Sequence, residues 1–249
     1  MNPSGNTVLI TGGGSGIGRG LAEGLHKLGN QVIISGRRQS VLDETTSANP
    51  GMQSLLLDIA EPGNILSFAA DLVEKFPALN VLINNAGIMR PEKLLEQGEN
   101  LADSEAIVAT NLLGPIRLTA ALLPHLKKQA SATIVNVSSG LAFVPLAITP
   151  TYCATKAAIH SYTQSLRWQL RSTGIEVLEL IPPYVQTELM DGAEDSRAMP
   201  LADFIRETMS LLTSQPTPAE IAVERVKPLR LAAENGSYGA VFQGMNSNF

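Results

Sequence analysis

Thr7-Val8-Leu9-Ile10-Thr11-Gly12-Gly13-Gly14-Ser15-Gly16-Ile17-Gly18 starts as an apolar, β-branched run, passes through clustered glycines and enters a segment of helical period. The order carries the reading. A strand that runs straight into a glycine turn and then a helix is the context in which such a turn holds a pyrophosphate. Glycine permits positive φ and lets the backbone approach the ligand, and the N–H groups at the helix start meet its negative charge. The helix carries Ile17, Leu21, Leu25 and Leu28 on one stripe, and Gly29-Asn30 ends it. Its glycines are spaced TGxxxGxG, so Gly12, Ser15, Gly16, Ile17 and Gly18 are the candidate cofactor contacts.

Outward from this unit the same alternation continues. Apolar runs suited to strands recur at Gln31–Ser35, Gln53–Asp58, Val81–Asn84, Thr133–Ser138, Glu176–Ile181 and Gly239–Gln243. Most are continuously apolar, as parallel strands buried on both faces require. Between them lie helical stripes such as Ile65, Phe68, Ala69, Leu72, Val73 and Phe76. Alternating β and α over the whole length predicts an α/β, doubly wound sheet of about seven parallel strands with helices on both faces. With no linker or repeat, residues 1–249 read as one domain. The stretch 188–218 has helical pieces but no strand and follows a strand's carboxyl end, where ligands are commonly covered, so it reads as a lid.

Composition narrows the partners. The 249 residues are 44% hydrophobic and 16% charged, with a net charge of −5 and no long Lys/Arg run, which argues against nucleic acid. One cysteine, Cys153, excludes an internal disulfide and a CxxC metal site. His26, His125 and His160 lie far apart in sequence without zinc-site spacing, so no metal is expected. Met1–Asn6 lacks the regions of a signal peptide, and no apolar stretch reaches the length of a membrane span, about 18 residues. A cytoplasmic protein is expected.

Tyr152 and Lys156 stand one helical turn apart at the start of a helical segment and share a face. An ammonium beside a phenol favours the phenolate and makes it a usable proton donor or acceptor. Such a pair suits acid–base work at a carbonyl or alcohol. Alone it is weak, since Tyr and Lys at this spacing usually form a solvated face.

The second strand ends in Ser35-Gly36-Arg37-Arg38, with no acid before Asp43. An NAD enzyme usually places a carboxylate there for the ribose 2′-hydroxyl, whereas arginine suits a phosphate. Arg37 and Arg38 therefore favour NADP(H) over NAD(H). Further along, the segment Asp103–Gln129 carries Gly114-Pro115 in its middle. Pro115 has no N–H for the carbonyl four residues earlier, that of Asn111, and a kink is expected there.

Together these motifs resemble the short-chain dehydrogenase/reductase family in its single-domain form. They are the turn at 11–18, Asn84-Asn85-Ala86-Gly87, Ser138-Ser139, Asn111, Tyr152-x-x-x-Lys156, and Pro182 followed by Thr187. The stretches Asn84–Arg90 and Ile134–Arg167 resemble, more loosely, its bacterial DltE-like branch. The resemblance covers residues 7 to about 245 and implies a Rossmann-type fold. It also implies a catalytic set of Asn111, Ser139, Tyr152 and Lys156. Ser139 would donate a hydrogen bond to the substrate oxygen, Tyr152 would exchange a proton with it, and Lys156 would lower the tyrosine pKa. Ser138 reads instead as satisfying local backbone.

By the same resemblance Asp58 and Ile59 meet the adenine, Asn85, Ala86 and Gly87 line the adenine ribose side, and Pro182, Val185 and Thr187 hold the nicotinamide end. Tyr152 and Lys156 also contact the cofactor. Pro182-Pro183 departs from the family's Pro-Gly and makes the loop stiffer. Substrate contacts fall to Ser139, Leu141, Phe143, Tyr152 and Tyr184, with Met89, Ile148, Thr149, Leu189 and Met190 as further apolar pocket candidates. Trp168, with Ile159 and Leu166, is expected to pack on the helix that begins at Tyr152. The two long helices imply a homodimer or homotetramer. The function implied is hydride transfer between NADP(H) and a carbonyl or secondary alcohol. The alternative is an NADP(H)-binding sensor with little turnover, although such relatives usually lose the tyrosine or lysine.

Overall fold

The computed structural model describes residues 1–96, 98, 100–189 and 195–247. Seven strands, β1 (Thr7–Thr11), β2 (Gln31–Gly36), β3 (Gln53–Leu56), β4 (Leu79–Asn84), β5 (Ala132–Val137), β6 (Ile175–Ile181) and β7 (Glu220–Ala222), form one sheet. Every pairing is parallel, and the order is β3-β2-β1-β4-β5-β6-β7. The doubly wound sheet read from the alternation is therefore the fold.

The helices are α1 (Gly16–Lys27), α2 (Gln39–Ala48), α3 (Pro62–Lys75), α4 (Ala102–Val108), α5 (Gly114–Leu126), α6 (Pro150–Leu170), α7 (Leu201–Leu212), α8 (Lys227–Arg230) and α9 (Tyr238–Asn246). Because strand side chains alternate faces, each strand feeds two cores. Val8 and Ile10 of β1 meet Leu21 and Leu25 of α1 and Phe204 and Leu212 of α7. On the other face, Leu9 joins Ile65 and Leu72 of α3, Leu118 and Leu122 of α5, and Leu166 of α6.

Strand order reverses between β1, which leads outward to β2 and β3, and β4, which leads the other way. The crevice at such a switch point, beyond the carboxyl ends of the strands, is where open α/β sheets take ligands.

Three expectations need correction. Gly239–Gln243, read as a strand, lies in helix α9, and the edge strand is the short Glu220–Ala222. Tyr238, Val241, Phe242 and Met245 recur at 3, 4 and 7 residues, a helical period that the short apolar run conceals. Second, α4, a π-helical segment Ala109–Leu113 and α5 form one continuous 25-residue helix, Ala102–Leu126, whose most apolar window has a mean hydropathy of 1.6. This meets the length and composition of a membrane span, contrary to the reading above, but Leu118, Leu122 and Leu126 face the sheet core. Third, Trp168 is 68% exposed rather than packed within the fold, and the Arg171 guanidinium lies 4.2 Å from its ring centre.

The stretch 188–218 divides into two parts. Helix α7 buries Phe204, Thr208 and Leu212, with Ile205 and Met209 against Gly20 and Gly24 of α1. Before it, Met199 pairs with Val185, which follows β6. Met190 falls outside the described residues.

Candidate active site

The first wall of the crevice is the glycine turn. Gly12 has φ +67°, and a Cβ there would sit 3.0 Å from the Ala86 Cα. At Gly18 a Cβ would lie 2.2 Å from the Gly12 carbonyl oxygen, so helix and turn pack backbone to backbone. Ser15 caps α1 without a side-chain hydrogen bond, and no acid occupies its first turn. The N–H groups at this end thus face a cradle suited to an anion.

The turn is tied to both neighbours. Gly12 and Gly13 donate backbone hydrogen bonds to Ser35 O of β2 at 2.7 and 3.2 Å. The Thr11 hydroxyl accepts from the Asn85 and Ala86 N–H groups at 3.0 Å each, and Asn85 Nδ2 donates to Thr11 O at 2.9 Å. This places Asn85, Ala86 and Gly87 beside Gly12, Ser15, Gly16, Ile17 and Gly18 along one cleft of about 900 Å³.

The other end of the cleft brings together Ser139, Tyr152 and Lys156, with Pro182, Val185 and Thr187 close by. Helix α6 starts at Pro150, which suits a first helical turn, and presents Tyr152 and Lys156 inward, 7% and 5% exposed. Tyr152 and Ser139 line this end of the cleft together. Ser139 Oγ accepts from Leu141 N at 3.1 Å. Lys156 Nζ donates to Val137 O at 2.8 Å and lies 5.5 Å from the Tyr152 ring centre.

Burial dominates the electrostatics. It pushes the Tyr152 phenol well above its ordinary value, opposed by the neighbouring Ser139 hydroxyl, and lowers Lys156 to about 8. The lowering of the tyrosine pKa by its lysine neighbour, expected above, is not found: burial raises the phenol, and Lys156 is not among the groups that lower it.

Asn111 stands apart from this wall, in the π-helical segment. Its Nδ2 donates to Ile88 O at 2.8 Å and its Oδ1 accepts from Ile88 N at 2.9 Å, holding the segment after β4. Pro115 lacks the donor that an α-helix would supply to the Asn111 carbonyl. At the break the ladder widens, with Gly114 N bonding Ala109 O. Asn111, Asn84, Asn136 and Lys156 border a small polar cavity of about 10 Å³, the size of one water. Asn84 Oδ1, buried beside it, has no protein partner among the described residues.

Other assigned residues lie elsewhere. Arg37 and Arg38 are exposed at the end of β2, outside the cleft but two and three residues from the Ser35 carbonyl that anchors the glycine turn. Asp43, the first acid after them, accepts from Gln39 Nε2 at 2.7 Å. Asp58 accepts from Ala60 N at 3.0 Å, and the Ile59 side chain is core, with its carbonyl against Gly114.

Within the substrate candidates, Met89, Leu141, Ile148, Tyr184 and Leu189 line the cleft. Phe143 does not. Its ring lies 4.7 Å from the His160 ring, edge to face, and 4.8 Å from the Arg230 guanidinium. Thr149 is fully buried as the residue before α6. The reading missed Leu146, Asp195, Arg197 and Leu229, and also Gly244 and Met245, which α9 brings over the cleft. Asn246 of α9 accepts from Ala147 N at 2.6 Å and donates to Pro145 O at 3.1 Å.

Ser138 bonds a side chain rather than only local backbone: its hydroxyl donates to Glu179 Oε1 at 2.6 Å. Nor is His160 isolated. Its Nδ1 lies 2.8 Å from Glu179 Oε2, and His160, Glu179 and Glu220 gather their polar atoms within 4.8 Å. Arg230 already engages both Glu220 oxygens, at 2.7 and 3.1 Å.

A family model described as short chain dehydrogenase matches residues 6–198. The chain is 40% identical over 252 residues to the uncharacterized oxidoreductase DltE of Bacillus subtilis (strain 168), with 99% of each chain covered. A short-chain dehydrogenase from Streptomyces avermitilis superposes with a TM-score of 0.82 at 26% identity, covering 99% of this chain and 100% of that one. The closed form of a serine dehydrogenase complexed with NADP+ gives a TM-score of 0.76 at 26% identity, covering 86% and 90%.

Proposed function

The chain belongs to the short-chain dehydrogenase family of oxidoreductases, and from this we propose hydride transfer between NADP(H) and a carbonyl or secondary alcohol. The observation that carries the reading is the convergence of Ser139, Tyr152 and Lys156 at one end of a cleft whose other end is the glycine turn. The nicotinamide cofactor, when bound, supplies or takes the hydride. Gly12, Ser15, Gly16, Ile17 and Gly18 would hold its pyrophosphate, and Val185 and Thr187 its nicotinamide end.

The chain's own residues carry the proton and the charge. Ser139 directs its hydroxyl hydrogen at the substrate oxygen, where negative charge grows during reduction. Tyr152 gives that oxygen a proton. Its raised pKa keeps the phenol in the protonated form this step needs near pH 7. Lys156 stabilises the phenolate left behind, and Asn111 with its polar cavity offers the lysine a path to solvent. In oxidation the proton travels the other way.

Arg37 supports the phosphorylated cofactor, since no carboxylate stands free to meet a ribose hydroxyl where β2 ends. The bound NADP+ of the serine dehydrogenase is consistent with this. The apolar lining around Met89, Leu141 and Ile148 suits a medium-sized ketone or aldehyde. Within the stretch 188–218, Glu188, Leu189, Asp195 and Arg197 border the cleft and support its reading as a lid, and the exposed Trp168 and Leu113 suit a homodimer or homotetramer in the cytoplasm.

The test is oxidation of NADPH and of NADH, in parallel, against aldehydes, cyclic ketones, β-keto esters and diketones. Turnover with higher efficiency for NADPH is expected. Equal or better efficiency with NADH would remove the Arg37 argument, and saturable NADPH binding without turnover would favour a sensor.

A further inference from the structure

Glu179 is a carboxylate with no exposed surface, set in the middle of β6. On its side of the sheet the preceding positions are Ile175 and Val177, both in the core. A buried charge there is costly unless its oxygens are met by donors in good geometry. Two side chains meet them. Ser138 Oγ donates at 2.6 Å, and the His160 Nδ1 edge lies 2.8 and 3.0 Å from the two oxygens. No Lys or Arg pairs with Glu179 among the described residues.

The two donors come from the elements that form the candidate active site. Ser138 precedes Ser139 at the end of β5. His160 lies one turn beyond Lys156 on α6, the helix that also carries Tyr152. Ser139 at the end of β5 and Tyr152 of α6 line the cleft together, and Ser138–Glu179–His160 joins the same two elements behind it. Ser138 also borders the cleft, so engaging its hydroxyl hydrogen leaves Ser139 as the serine donor for a substrate oxygen. The His160 ring is braced in turn by the Phe143 edge contact, and the Arg230 guanidinium lies 4.8 Å from that phenyl ring's centre.

We propose that Glu179, through Ser138 and His160, is a positioning residue that sets the distance between the Ser139 end of β5 and the Tyr152–Lys156 turn of α6. The proposal rests on the oxidoreductase reading above for its kinetic consequence. Its geometric consequence is independent of that reading. Ordering of catalytic groups is sensitive to displacements of about 1 Å, which cost on the order of 10²-fold in rate.

Three variants test it: Glu179→Gln, His160→Leu and His160→Asn. The last keeps a side-chain N–H close to the position of Nδ1. Turnover of the best carbonyl is measured well below the melting temperature, alongside the NADPH dissociation constant. Glu179→Gln and His160→Leu are expected to lose kcat about tenfold or more, with NADPH affinity within about twofold, and His160→Asn to recover most of the rate. Unchanged kcat in folded Glu179→Gln and His160→Leu, with only a lower melting temperature, would overturn the proposal.

If the wild-type protein reduces no carbonyl, the functional reading fails and the hub is tested by hydrogen exchange over residues 150–160. Glu179→Gln is compared with Leu122→Ala, a core variant of α5, at temperatures equally far below their melting points. Faster exchange over 150–160 in Glu179→Gln alone supports the hub, and equal exchange in both overturns it.

Discussion

Tyr152 and Lys156 occupy one turn of α6, and burial acts on them in opposite directions. The phenol is held protonated, while the ammonium is discouraged and its pKa falls to about 8. Their roles lead to two predictions. Tyr152→Phe should retain NADPH binding and lose at least about 10²-fold in kcat, checked by steady-state kinetics with fluorescence-monitored binding. For Lys156, the folded pKa lies below the ordinary 10.5, so between about pH 8 and 10.5 the unfolded chain binds more protons. Its contribution to stability therefore rises with pH across that window, and the penalty is largest below pH 8. Lys156→Met should relieve a penalty on the order of 3 kcal/mol at pH 7, less about 1 kcal/mol for the lost bond to Val137 O. The gain should shrink from pH 8 to 10.5, measured by melting at a series of pH values. A constant difference across the series would contradict the assignment.

At the level of elements, α9 shows how a short apolar run misleads. Its five central residues satisfy a strand template, but the wider window from Tyr238 to Met245 has helical period, and β6 takes Glu220–Ala222 as its neighbour instead. The helix buries no residue of its own fully. Its attachment leans on Asn246, which bonds both Ala147 N and Pro145 O in the segment leading to α6. Asn246→Ala should weaken this docking by about 1–3 kcal/mol and speed amide exchange over 239–246 by about tenfold or more, without a matching change in α6. The helix Ala102–Leu126 is the opposite case. Pro115 announced a break next to Asn111, and the chain meets it with a π-helical segment.

At the scale of the whole molecule, two cores clamp the sheet; within 188–218, α7 packs in one of them, and Glu188, Leu189, Asp195 and Arg197 border the cleft. Phe204 is fully buried between α7 and the sheet, so Phe204→Ala should cost about 3–5 kcal/mol in denaturant unfolding. A loss below about 1 kcal/mol would mean that α7 moves as part of a cover rather than belonging to the core. The cleft is bounded by segments from opposite ends of the chain, the glycine turn at 12–18 and Gly244-Met245.

By itself the sequence determined the alternation of strands and helices, the glycine turn and the Tyr152–Lys156 pair, because these depend on local periodicity and on spacing within one turn. Through resemblance to a family it also pointed to Ser139 and Asn111. Only the tertiary structure decided that Phe143 faces His160 and Arg230 rather than the cleft, that α9 contributes Met245 to it, and that Ser138, Glu179 and His160 meet. Each of these depends on a side chain's direction after distant segments have packed, and no local pattern encodes a contact across 41 residues such as Ser138 to Glu179. The charge on Glu179 was legible; its burial was not, because in a strand only the neighbouring sheet and helix decide which face meets water.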